Sequence, residues 1–154
     1  MTRIERHSRT TGAAALANYP HAVRVGELVF VSGTSSRIAG PGPTRHEGVT
    51  LHHDAQGAVT RVETDCEVQT AAVLRNIDGH LRSAGLTLQD VVDATVFLVD
   101  MADYAAMNRA WNAAFADAAA GPARTTVAVA ALPHPHLRVE IKAVAAGPAR
   151  PEVR

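Results

Sequence analysis

A single cysteine among 154 residues, Cys66, excludes an internal disulfide and a zinc site built on paired thiolates, and it favours a reducing compartment. Aromatic residues make up only 4% of the chain and never interleave with a run of lysine or arginine. Charge of one sign is missing too: fifteen basic residues balance fifteen acidic ones. The field that gathers nucleic acid and the polybasic patch that holds a membrane surface are therefore both lacking. No stretch approaches the roughly 18 apolar residues of a membrane span. Ala13 to Ala17, behind Arg3, Arg6 and Arg9, is too short for the core of a signal peptide. There is no internal repeat and no glycine-rich phosphate loop. These absences leave a cytoplasmic enzyme or binding protein as the expectation, with Cys66 an inert residue in the first turn of a helix rather than a nucleophile.

What is present is enough to close one core, since 47% of the residues are hydrophobic and 19% charged. Glu27 to Ser32, ELVFVS, reads as a buried strand that stops at Gly33, with a possible further strand before it. From Ser35 to Gly57, prolines and glycines break any periodicity, which predicts a long loop. Thr64 followed by Glu67 forms a capping-box pattern. Val68, Ala71, Leu74, Ile77, Leu81 and Ala84 then recur at helical spacing until Gly85. Val91 to Val99 is a β-branched run and so a central strand. Asp100 and Asp103 start a second helix with the stripe Tyr104, Met107, Trp111 and Phe115. Two last strands, Arg124 to Ala131 and Leu137 to Ala145, flank the proline-rich turn from Leu132 to His136. The order implies an α+β fold, two helices on one face of a mixed sheet; the other face, if apolar, requires another subunit.

Between Gly121 and Ala145 one arginine and one glutamate sit in otherwise apolar strands. Burying either without a partner would cost several kcal/mol, so each needs an opposite charge or a ligand. Arg124 suits either a structural ion pair or an anion clamp. Glu140 shares two-residue spacing with Arg138 and Lys142, which also fits a solvated charge ladder. A tight hairpin centred on His134 would set Arg124 opposite Val144, roughly 13 Å along the strand from Glu140. His134 and His136, and the His52-His53 pair, lack carboxylate or thiolate companions at metal-ligand spacing, and no metal is expected. Ser32 has no Gly-x-Ser-x-Gly elbow around it and reads as a hydrogen-bonding strand end.

Taken together, Tyr19 thirteen residues before Ser32-Gly33, the run VVDATVFLVDMADYAAMN ending in Asn108, and PARTTVAVAALP followed by VEIKAVA resemble the reactive-intermediate deaminases, the Rid or YjgF-like family. The resemblance implies one domain over 1–154, with a core at about 19–146 and tails at 1–17 and 147–154. It also implies a chorismate-mutase-like mixed sheet under two helices, assembled as a homotrimer with sites between subunits and without a cofactor. In such proteins the arginine matching Arg124 binds the substrate carboxylate and the glutamate matching Glu140 orients the hydrolytic water. Residues matching Tyr19, Ser32, Gly33 and Asn108 line or shape the pocket. SGTSSR from Ser32 to Arg37, the NYPH start, the long excursion after Ser35 and the extra residue in LPHPHLRVEIK are similar to the 2-aminomuconate deaminase branch, which acts in aromatic catabolism.

That branch would act on a dicarboxylate, so a second cationic group is expected among Arg37, His21, His134, His136 and Arg138. Two other functions fit the same residues. One is a general deaminase of 2-aminoacrylate-type imines; the other is a trimer that binds metabolites without turnover.

Overall fold

A computed structural model describes residues 3–9 and 11–148. Ten strands and two helices follow one another: β1 Ile4–His7, β2 Ala22–Val25, β3 Leu28–Thr34, β4 Arg37–Ile38, β5 Arg45–His46, β6 Val49–His53, β7 Val59–Thr64, α1 Cys66–Ser83, β8 Val91–Leu98, α2 Tyr104–Ala114, β9 Ala123–Ala128 and β10 Val139–Ala146. Six strands form one mixed sheet in the order β1-β2-β3-β10-β8-β9, all neighbours antiparallel except β8 and β9. Both helices pack on one another, and their apolar sides close a core with the sheet through Val73, Ile77, Leu81, Met107, Val96 and Ile141. The expected α+β architecture is therefore present. No helix is long and apolar enough to cross a membrane among the described residues.

Several local expectations shift. Residues Ile4–His7, expected within a tail, pair with β2 as an edge strand; residues 149–154 of the other expected tail lie outside the described residues. The excursion after Ser35 is not a loop but two hairpins, β4-β5 and β6-β7. Thr64 ends β7, and the cap of α1 falls one residue later: Asp65 Oδ1 accepts from the Val68 amide at 3.0 Å. Glu67 binds Arg109 instead of closing a capping box. The buried face of α1 then runs through Gln69, Val73, Ile77 and Leu81, leaving Val68 exposed. Tyr104 likewise lies outside the core, while Met107, Trp111 and Phe115 are in it. At the other end of α1, Gly85 adopts φ +75 and Leu86 N–H donates to the Leu81 carbonyl. Buried Arg24 completes that end, donating to the carbonyls of Ala84, Gly26 and Gly147.

The largest correction concerns the last two strands, which do not pair. β9 runs parallel to β8 after a crossover through α2, and β10 inserts between β8 and β3. A hairpin would have left β3 and β8 without their shared neighbour. Pro133 and Pro135, which donate no amide, sit in a connection that carries the chain across the end of β8, where Val99 N–H reaches the Arg138 carbonyl.

Candidate active site

Where β3 meets β10, the register slips: Ile141 faces Thr34, but Ala143 faces Val31. The extra residue on β3 is a bulge at Ser32-Gly33, and it re-aims the strand end beside a cavity of about 410 Å³. Tyr19, Ser32, Gly33, Arg37, His134 and Glu140 all line it. A volume of this size suits a small organic ligand.

Glu140 lies between buried Val139 and Ile141, so the alternation of β10 places it on the sheet side opposite the helices. Its Oε1 occupies the space above Gly33, where an added Cβ would come within 2.5 Å. Burial pushes the Glu140 carboxyl above its ordinary pKa, and no ion pair to it occurs among the described residues. The charge-ladder alternative fails for a specific reason: Arg138 is engaged by Asp103 at 2.6 Å and Asp100 at 3.7 Å. Arg138 is for the same reason spent as a ligand for a second carboxylate.

Ser32 donates its hydroxyl to the Pro20 carbonyl at 2.8 Å, consistent with a positioning group and not an activated nucleophile. Cys66 is buried, and burial raises its thiol pKa to about 11, so the thiolate is not accessible near neutral pH. The HPH turn is pinned by buried Gln69, which donates to the His136 carbonyl and accepts from the Arg138 amide, each at 2.8 Å. His134 faces the cavity, with its ring 4.6 Å from that of His46 and 5.0 Å from that of His136. His136 does not line the cavity. Among the described residues no group of three or more histidine, cysteine or acidic side chains is arranged to hold a metal.

Arg124 and Asn108 are elsewhere. Arg124 pairs with Ala94 and turns to the helix side, over the Trp111 ring at 4.8 Å, its guanidinium donating to Met107 Sδ at 3.7 Å and Tyr104 Oη at 3.4 Å. It has no acidic partner among the described residues, which removes the structural ion pair as its explanation. Asn108 is on α2 next to Met107. Because Glu140 faces Phe97 and Arg124 faces Ala94, the two are separated by two strand spacings and three residues, roughly 14 Å between backbones, on opposite sides of the sheet. Within one chain the Arg124 and Glu140 side chains therefore do not share a cavity.

A family model described as Endoribonuclease L-PSP matches residues 10–147. The chain belongs to that family. Escherichia coli YoaB, a RutC family protein, is 40% identical over 105 residues, covering 66% of this chain and 90% of YoaB. The chloroplastic Reactive Intermediate Deaminase A of Arabidopsis thaliana is 33% identical over 132 residues, 86% of this chain and 60% of that protein. Among solved structures, E. coli TdcF with bound serine superposes with a TM-score of 0.71 at 26% identity, covering 94% of this chain and 99% of TdcF. The resemblance read from the sequence and the family assignment agree.

Among the lining residues that sequence reasoning missed are Arg9, His46, Asn76 and His80. Arg9 falls within the expected tail, and the helical spacing of Asn76 and His80 says nothing about what the N-terminal segment packs against. His80 stacks on His21 with centroids 4.4 Å apart, and burial holds its pKa down to about 3. His46 is held down to about 4, chiefly by burial and then by His134. Both rings are neutral at neutral pH.

Proposed function

We propose that this protein is a hydrolytic deaminase of imines and enamines, acting on 2-aminomuconate to give a 2-oxo-hexenedioate and ammonia. One observation supports the reading: a carboxylate of raised basicity is set inside a cavity, while an arginine without an acidic partner among the described residues lies on the other side of the sheet. A second copy of the chain brings the two together. The sheet side opposite the helices also exposes Leu28, Phe30 and Val127, an apolar surface that a homotrimer would cover.

In the assembled site the Arg124 guanidinium holds the carboxylate beside the reacting carbon through two parallel N–H donors. Glu140 accepts a proton from water as its oxygen adds to the C=N carbon, giving a carbinolamine. The same carboxyl returns that proton to nitrogen, which completes the carbinolamine; the hydroxyl proton then passes through Glu140 to the amine as the C–N bond breaks, the carbonyl forms and ammonia leaves. The balance is imine plus water to ketone plus ammonia, with no oxidant. Gly33 and Ser32 shape the wall, Tyr19 and Asn108 complete it, and His134 contributes a neutral donor.

The name of the Arabidopsis relative favours a second reading, a general deaminase of 2-aminoacrylate-type imines. The serine held by TdcF, an α-amino carboxylate, is of the ligand class that an arginine clamp accommodates. Purified protein should accelerate the loss of 2-aminomuconate absorbance with stoichiometric ammonia, and Arg124→Ala should abolish both. Activity only on imines generated from an amino acid selects the second reading. Binding of a dicarboxylate without any turnover selects the metabolite-binding trimer, and RNA cleavage lost in Glu140→Gln would replace the deaminase reading with a nuclease.

A further inference from the structure

The N-terminal segment is held against the cavity by hydrogen bonds to His21 and Arg37. Arg9 donates its backbone N–H to His21 Nδ1 at 3.1 Å, so His21 carries its proton on Nε2 and donates to the Ala13 carbonyl at 3.1 Å. That arrangement brings the Arg9 side chain down onto α1. A Cβ at Gly79 would lie 2.5 Å from Arg9 Cζ, and one at Gly12 2.9 Å from it. Gly79 is inside α1, where glycine weakens a helix relative to alanine. Its absent side chain is what lets a guanidinium rest there.

Arg37 approaches from β4. Its backbone carbonyl accepts from Asn76 Nδ2 at 3.2 Å, and its guanidinium donates to the Ala14 carbonyl. Among the described residues neither Arg9 nor Arg37 meets a carboxylate, whereas Arg75, Arg82, Arg109 and Arg138 each hold one. Both line the cavity, whose only acidic lining residue among the described ones is Glu140, and both lie close enough to His21 to disfavour its protonation. His80 Nδ1, at the same wall, is buried without a hydrogen-bond partner among the described residues. Two guanidinium groups without a carboxylate partner, lining one cavity with an orphaned buried nitrogen, mark a place for an anion.

We propose that Arg9 and Arg37 form a second anion subsite that binds the carboxylate remote from the reacting carbon, making the cavity selective for dicarboxylates. The assignment rests on the cavity being the substrate site proposed above, with Arg124 of a neighbouring copy taking the first carboxylate. Gly79 is a positioning residue, since it acts only by seating Arg9.

The test uses unreactive probes, so that it stands apart from turnover. Muconate and sorbate share a six-carbon diene chain, but sorbate has one carboxylate. Calorimetry on the wild-type protein should show muconate binding at least about tenfold more tightly than sorbate, the effect of one charge-assisted pairing. Arg9→Gln and Arg37→Gln should each erase most of that preference while leaving sorbate affinity unchanged. Gly79→Ala keeps both arginines and favours the helix, so its fold is secure; it should erase the preference by displacing the Arg9 guanidinium. Equal affinities of the wild type for the two probes would overturn the subsite. So would a preference that survives in all three variants. Absence of any deamination alongside a clear muconate preference would reject the enzymatic reading and leave the subsite intact.

Discussion

Replacing Gly33 by alanine should separate stability from the proposed turnover. The new Cβ would sit 2.5 Å from Glu140 Oε1 and 3.3 Å from its Cδ. A relaxed carbon–oxygen contact is about 3.3–3.6 Å, so the carboxylate must withdraw by about 1 Å. The backbone itself accepts alanine, because Gly33 is absent from the residues with positive φ. Alanine should add about 0.4–1 kcal/mol by restricting the unfolded chain, and an off-rotamer Glu140 should remove about 0.5–1.5 kcal/mol. The two nearly cancel, so the urea midpoint should move little. In the proposed mechanism, displacing the Glu140 carboxylate by about 1 Å should cost on the order of 100-fold in kcat, with KM less affected because Arg124 is untouched. The assay is ammonia release over a substrate range, beside denaturant unfolding of the same preparations. Full kcat in a folded Gly33→Ala protein would refute the placement of Glu140 against Gly33, and a large loss of stability would refute the claim that only a flexible side-chain end is in the way.

Mixing Arg124→Ala with Glu140→Gln subunits, each inactive alone, should restore about a quarter of the wild-type sites if the two residues meet across an interface; no recovery after verified subunit exchange would place both in one protomer. Arg24→Met should remove charged hydrogen bonds to three carbonyls and cost about 2–4 kcal/mol, lowering Tm by roughly 5–15 °C in calorimetry while kcat at low temperature stays unchanged. Folded-state pKa values of about 4 for His46 and about 3 for His80 lie below the unfolded 6.5, so their contribution is complete above pH 6.5 and is lost as pH falls through 4 and 3. At pH 5 each should already cost up to about 2 kcal/mol, partly offset by Glu140, whose raised pKa acts the other way; urea midpoints at pH 7.5 and 5 measure the difference. The acid limb of kcat/KM should fall above the ordinary carboxylate range, and a limb near pH 4 would show that Glu140 is not the base.

Local patterns carried much of this protein in plain view. The β-branched run at Val91–Leu98, the Gly85 stop and the stripe Met107, Trp111, Phe115 each follow from short-range sterics and burial, which operate within one element. Arg124 and Glu140 stood out for the same reason, as charges in apolar strands. What local pattern could not supply was which strands are neighbours. The proline-rich link after β9 reads as a turn, yet β10 closes the gap between β3 and β8, and that choice puts Arg124 and Glu140 on opposite sides of the sheet. Long-range pairing is decided by the whole sheet's hydrogen bonds and core, not by the residues flanking a turn. For the same reason Arg9 looked like part of a tail: only packing of the N-terminal segment against Gly79, seventy residues away, shows that its charge belongs to the cavity. The sequence by itself determined the elements and the chemistry available; the tertiary structure decided which charges share a cavity, because sheet order and segment packing are properties of contacts distant in the chain.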